Sequence, residues 1–138
     1  MEKEKRPLIG VGVVVKKDKK ILFGLRKKSP EKGCWCFPGG HLEFGETIEE
    51  CARREVLEET NLKIENLEIL KFTQDFYKKE NKHYISFVVI CDYKSEELKN
   101  MEPEKCEKWR WHNLENLPEN LMVSTRNFID SLTKKEIE

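Results

Sequence analysis

Three glutamates stand close together near the middle of the chain, Glu55, Glu58 and Glu59, with Arg54 directly before them. On a helical wheel of about 100° per residue, Glu55 and Glu59 fall on the side of Ile48, Cys51 and Ala52, and Glu58 sits at that side's margin. The apolar stripe therefore turns acidic. Such a face is unfavourable in a plain core, because a buried carboxylate without a partner loses its hydration or takes up a proton. One helical turn apart, the oxygens of Glu55 and Glu59 can converge on a hard divalent cation, with Glu58 within reach. Magnesium suits this donor set, since it prefers oxygen and keeps several waters, leaving positions for phosphates and for an attacking water. The competing reading is a solvated helix on which Arg54 and Glu58 form an exposed i, i+4 pair.

The elements that must position these groups are legible around them. Thr47 to Thr60 reads as a helix: Thr47 and Glu50 have capping-box spacing, and Ile48, Cys51, Ala52 and Val56 recur at helical intervals. Asn61 follows, a residue that tolerates the left-handed conformation closing many helices. Upstream, Ile9, Val11, Val13 and Val15 alternate as a strand, and Ile21 to Leu25 supplies its partner. Cys34 to Phe37 reads as a short strand that stops at Pro38-Gly39-Gly40, where a glycine-bearing loop begins. Downstream, Leu67 to Phe76 and Tyr84 to Tyr93 read as strands, the second apolar on both faces like a central strand. Lys108 to His112 adds a strand in which Trp109 and Trp111 alternate as packing residues, and Leu121 to Leu132 has the periodicity of a closing helix.

The segment GGHLEFGETIEECARREVLEETNL resembles the Nudix box, G-x5-E-x7-R-E-U-x-E-E-x-G-U, at Gly40, Glu46, Arg54, Glu55, Val56, Glu58, Glu59 and Leu62. Asn61 stands where the family usually has glycine, the mildest departure available to a left-handed position. The resemblance implies an α/β fold, the Nudix-type α/β/α sandwich with a mixed β-sheet, formed by residues 1–138 as one domain. It implies Glu55 and Glu59 as metal ligands, Glu58 as a further ligand or base, the backbone at Gly40 as another contact, and Mg2+ as the cofactor, with Mn2+ able to replace it. Glu58, Glu59 and Arg54 form the catalytic set, Arg54 orienting the glutamates, while Glu46 braces the loop before the helix. The stretch PGGHLEFGETIEECARRE, the pair His83-Tyr84 and the segment NMEPEKCEKWRWHNLENLP resemble a Nudix subgroup of homodimeric nucleotide diphosphatases. Its members include a human enzyme acting on thiopurine nucleotides and a plant counterpart. Carried over residue by residue, substrate contacts fall on Phe37, Gly39, His41, Ser86, Leu121 and Met122. His41 and His83 are open to phosphate contact or to a structural role.

Composition narrows the partners. Lys and Arg number 26, Asp and Glu also 26, so no long-range field pulls the chain toward nucleic acid or an anionic membrane. No apolar run approaches the roughly 20 residues of a membrane span, and the first residues lack a signal-peptide core, so a cytoplasmic location is the default expectation. Five scattered cysteines, Cys34, Cys36, Cys51, Cys91 and Cys106, read as reduced thiols. The expected partner is a small nucleotide, hydrolysed at a phosphoanhydride; for a triphosphate the products are monophosphate and pyrophosphate. Dinucleotides or nucleotide sugars such as NADH or ADP-ribose are the alternative substrates, and a non-catalytic nucleotide sensor is the alternative of another class.

Overall fold

A computed structural model describes residues 5–29 and 31–132. β1 (Leu8–Lys17) and β2 (Lys20–Arg26) form an antiparallel hairpin whose two-residue turn holds Asp18 at a φ of 58°. The alternation along β1 splits the core. Val11, Val13 and Val15 face one side of the sheet and Val14 the other, so each face receives its own apolar cluster.

β3 (Trp35–Cys36) pairs with β2, and β4 (Gly39–His41) pairs with the first half of β1, Gly10 opposite His41 and Gly12 opposite Gly39. The expected glycine-bearing loop is therefore partly a strand. Pro38 cannot donate, but its carbonyl accepts from Val13 N–H at 2.8 Å, and Gly39 and Gly40 then continue along β1. This pairing depends on a partner some thirty residues away, as the register shows, so local turn signals alone do not reveal it.

α1 (Ile48–Thr60) has Thr47 as its N-cap with both halves of the capping box, and Asn61 closes it at φ 68° in the left-handed region. β5 (Lys63–Tyr77) and β6 (Lys82–Ser95) make a long hairpin, both strands reaching beyond the spans the sequence suggested. β6 lies between β5 and β1, parallel to β1 from Leu8/Tyr84 to Lys16/Asp92, as expected of a central strand in a mixed sheet. β7 (Cys106–Asn113) pairs with β2, and α2 (Val123–Ser131) follows.

Cys51, Ala52 and Val56 of α1 pack with Val11, Val13 and Val15, whereas Phe128 of α2 packs on the opposite face with Val14, Phe23 and Phe37. The architecture is a mixed sheet between two helices, the α/β/α sandwich. Trp109 and Trp111 pack against the α1-side cluster, and all five cysteines are free thiols. No described helix is long and apolar enough to cross a membrane.

Candidate active site

The acidic face of α1 is built by its N-terminal turn as much as by the glutamates. Glu46 lies just before the helix; its carboxylate accepts Glu43 N–H at 3.0 Å and receives Arg54 through both Nε, at 2.6 Å, and Nη2, at 3.0 Å. The same guanidinium reaches Glu55 at 2.7 Å, Glu58 at 3.3 Å and the carbonyl of His41 at 3.2 Å. Arg54 thus ties the loop and the β4 end to one face of α1. Its hydrogen bonds hold the Glu46 carboxyl down to about 2, while Glu46 and Glu55 in turn raise the guanidinium further above its ordinary value.

Two abutting cavities open beside this face. The first, about 260 Å³, reaches between β1, β4 and β6 and is walled by Phe37, Tyr84, Ser86 and Met122. The second, about 520 Å³, is lined by Glu43, Glu55, Glu102, Lys105 and Trp109. Arg26, Cys36, Gly39, Gly40, His41 and Glu59 border both. Desolvation pushes the Cys36 thiol up to about 12, making it a neutral wall rather than a nucleophile.

Glu59 sits at the junction and accepts Gly39 N–H at 2.9 Å. Burial holds its carboxyl well above the usual range, and the nearby charges of Glu55 and Glu102 push the same way against the Gly39 hydrogen bond. Glu55 is raised too, by burial outweighing its bond from Arg54. Gly40 lies directly against it, since a Cβ there would come within 2.5 Å of the Glu55 carboxylate. Two confined carboxyls that resist ionisation, beside a close-packed backbone strand, form an all-oxygen environment that a hard divalent cation would relieve. The donor set therefore fits magnesium. Among the described residues no three acidic, His or Cys side chains already stand as a metal-holding group.

The structure gathers Phe37, Gly39, Gly40, His41, Ser86, Met122, Glu55 and Glu59 around these cavities. It leaves others outside. Glu58, with its side chain 51% exposed, bonds Arg54 and lines neither cavity. Leu121 lines neither cavity: it bridges Trp35 ahead of α2 and packs against the Phe128 cluster, while its neighbour Met122 lines the first cavity. His83 stacks on Phe76, ring centroids 4.4 Å apart, away from both cavities, whereas His41 shares a 3.0 Å hydrogen bond with the Tyr84 hydroxyl. Arg26, Lys105, Thr73 and Tyr84 were missed. Arg26 ends the apolar run of β2, a cation where a strand leaves the core, and Thr73 shares one face of β5 with Asp75 and Tyr77, a polar pair on a strand face; both are readable signals. Lys105 had no local signal distinguishing it from solvated neighbours, and Tyr84 entered only as half of the His83-Tyr84 pair, without a site role.

Over 114 residues the chain is 40% identical to the ADP-ribose pyrophosphatase of Methanocaldococcus jannaschii, covering 81% of this chain and 65% of that protein. It is 35% identical over 71 residues to the 8-oxo-dGTP diphosphatase of Buchnera aphidicola subsp. Schizaphis graminum, covering 51% of this chain and 55% of that one. The chain thus spans less than two thirds of the length of either relative. Its fold superposes on the MutT NUDIX hydrolase from Burkholderia pseudomallei with a TM-score of 0.88 at 30% identity, covering 94% of this chain and 100% of the other. The NUDIX domain profile matches residues 6–132, a span that takes in the strands, the loop and the acidic helix alike, and the chain belongs to the NUDIX family.

Proposed function

We propose that the protein is a metal-dependent pyrophosphohydrolase that cleaves nucleoside triphosphates, modified or oxidised ones among them, to monophosphate and pyrophosphate. The observation that carries this reading is the position of Glu59 where a more apolar cavity, walled by Phe37, Val88 and Met122, meets one that adds Glu55, Glu102 and Lys105. A nucleotide lying across that junction has its anhydride over the carboxylates. Glu55, Glu59 and the Gly40 backbone would hold Mg2+, or Mn2+ in its place, and Glu58, exposed beside Arg54, would have to turn toward them to serve as a further ligand or base. Such an ion, when bound, neutralises phosphate charge and lowers the pKa of a coordinated water.

The chain's own residues supply the rest. Arg54 touches neither cavity and acts as a positioning residue, fixing Glu55 and the β4 end relative to α1. Arg26 and Lys105 present positive charge to the phosphates, stabilising charge that develops on the departing group. Phe37 and Met122 enclose the nucleoside, excluding water from one side of it.

A second reading has its own support. The archaeal relative is an ADP-ribose pyrophosphatase, and the charged cavity, the larger of the two, has room for a second sugar phosphate. Hydrolysis of ADP-ribose would then release AMP and ribose phosphate. The resemblance of the segments around the acidic helix and β7 to thiopurine-nucleotide diphosphatases adds thiopurine nucleotides to the proposed candidates, and homodimerisation in the cytoplasm belongs to the same proposal. Wild type and Glu59→Gln are incubated with Mg2+ and triphosphates, NADH or ADP-ribose, and the products resolved by chromatography. Turnover of one class, lowered at least ~100-fold in the variant, supports the proposal and identifies the class. Nucleotide binding without turnover replaces it with the sensor reading.

A further inference from the structure

Beneath the apolar cavity lies a carboxylate that the proposed chemistry does not use. Asp75 of β5 is fully buried. Its Oδ2 accepts the Ser86 hydroxyl at 2.7 Å and the Thr73 hydroxyl at 3.2 Å, and its Oδ1 accepts Asn127 Nδ2 of α2 at 3.1 Å. Asp75 and Asn127 do not reach the cavity, but both hydroxyls line it.

A hydroxyl has one proton. With those of Thr73 and Ser86 both directed at Asp75, what each oxygen offers the cavity is lone pairs. Thr73 and Ser86 are directly opposed across the β5–β6 ladder, a placement that sets Cβ atoms about 4.5–5.5 Å apart. A planar amino group whose two N–H bonds diverge by about 120°, each bonding an acceptor at about 2.9 Å, requires acceptors about 5 Å apart. The two hydroxyl oxygens, held 3.2 and 2.7 Å from the same Asp75 Oδ2, have that spacing when they approach it at about 120° to one another. A second feature keeps it open: Gly10 of β1 is the register partner of Ser86, and a Cβ there would crowd Ser86 Oγ at 3.1 Å.

We infer that Thr73 and Ser86, oriented by Asp75, form an acceptor-only pair selecting nucleotides whose base carries an exocyclic amino group. A keto group in the same place sets its lone pairs against two acceptors and leaves both hydroxyls unmatched. The inference rests on the reading that this cavity takes the nucleoside part of the substrate. It adds the chemical sense in which the base edge is read, and it makes Asp75 and Asn127 positioning residues.

The test uses pairs differing only by amino against oxo: ATP and ITP, GTP and XTP, CTP and UTP, and ADP-ribose with its hypoxanthine counterpart. For wild type, kcat/KM favours the amino member of at least one pair by ~10-fold or more. Ser86→Ala and Thr73→Val each move that ratio toward one, chiefly through KM of the amino member. Asp75→Asn, whose amide can donate to the hydroxyls and turn their protons into the cavity, shifts it toward the oxo member. Equal use of both members by wild type, or a ratio unchanged in both Ser86→Ala and Thr73→Val, overturns the inference; equal losses on both members assign these residues a structural role and do the same. Calorimetric binding of AMP against IMP, GMP against XMP and CMP against UMP separates the two proposals. Amino-selective binding without turnover of any substrate supports the acceptor pair while removing the hydrolase reading, and turnover with unselective binding does the reverse.

Discussion

Glu59 is drawn two ways: Gly39 N–H favours its charged form, while burial and the charge of Glu55 oppose it more strongly. Its folded pKa thus lies above its unfolded value, so its contribution to stability is present at low pH and lost as pH rises through the folded value. Without metal, Glu59→Gln should have the higher melting temperature at pH 8, although it loses activity; a lower one in a thermal scan would contradict the argument. Glu46 has the opposite sign. Held by Arg54 at about 2 against an ordinary 4.5, it contributes stability that is complete above about pH 4.5 and disappears as pH falls toward 2. A thermal-melt series over that range should show a steeper acid loss in wild type than in Glu46→Gln.

At the scale of elements, α1 was readable from end to end because its signals are local: Thr47 with Glu50, the stripe Ile48, Cys51, Ala52 and Val56, and then Asn61. Thr47→Ala removes the side-chain acceptor of Glu50 N–H and should cost about 1 kcal/mol, measurable by urea denaturation and carrying no change in substrate preference. Asn61 also explains its departure from glycine. It adopts the left-handed turn while Nδ2 donates to Glu97 O at 2.9 Å, anchoring the segment that follows β6. β4 and the Asp75 network were not legible, for a shared reason. Each exists only through partners far along the chain, Val11 and Gly12 for the Gly39-Gly40 strand, Ser86 and Asn127 for Asp75. The acidic face could be read from spacing on one helix, whereas the cavity wall is assembled from strands and helices along nearly the whole chain, and Leu121 and Met122 were separated by a single residue's turn before α2.

Over the whole molecule the two faces of the sheet divide the work. The α1 face carries the carboxylates, and the α2 face holds the wall of the apolar cavity through Phe128, which is fully buried and sits edge-on to Phe37 with centroids 5.8 Å apart. Phe37 in turn stacks on Phe23. Truncating Phe128 to Ala should cost about 3–5 kcal/mol, a large part of the roughly 5–15 kcal/mol that keeps a domain folded, so its unfolding midpoint in urea should fall sharply. Phe128→Leu fills more of the space and keeps enough stability for kinetics. Because Phe37 lines the cavity while Glu55 and Glu59 hang from the other face, the leucine variant should raise KM for its nucleotide several-fold with kcat nearly preserved. Equal damage to kcat would mean that the two faces are mechanically coupled through β1, whose alternating valines belong to both clusters.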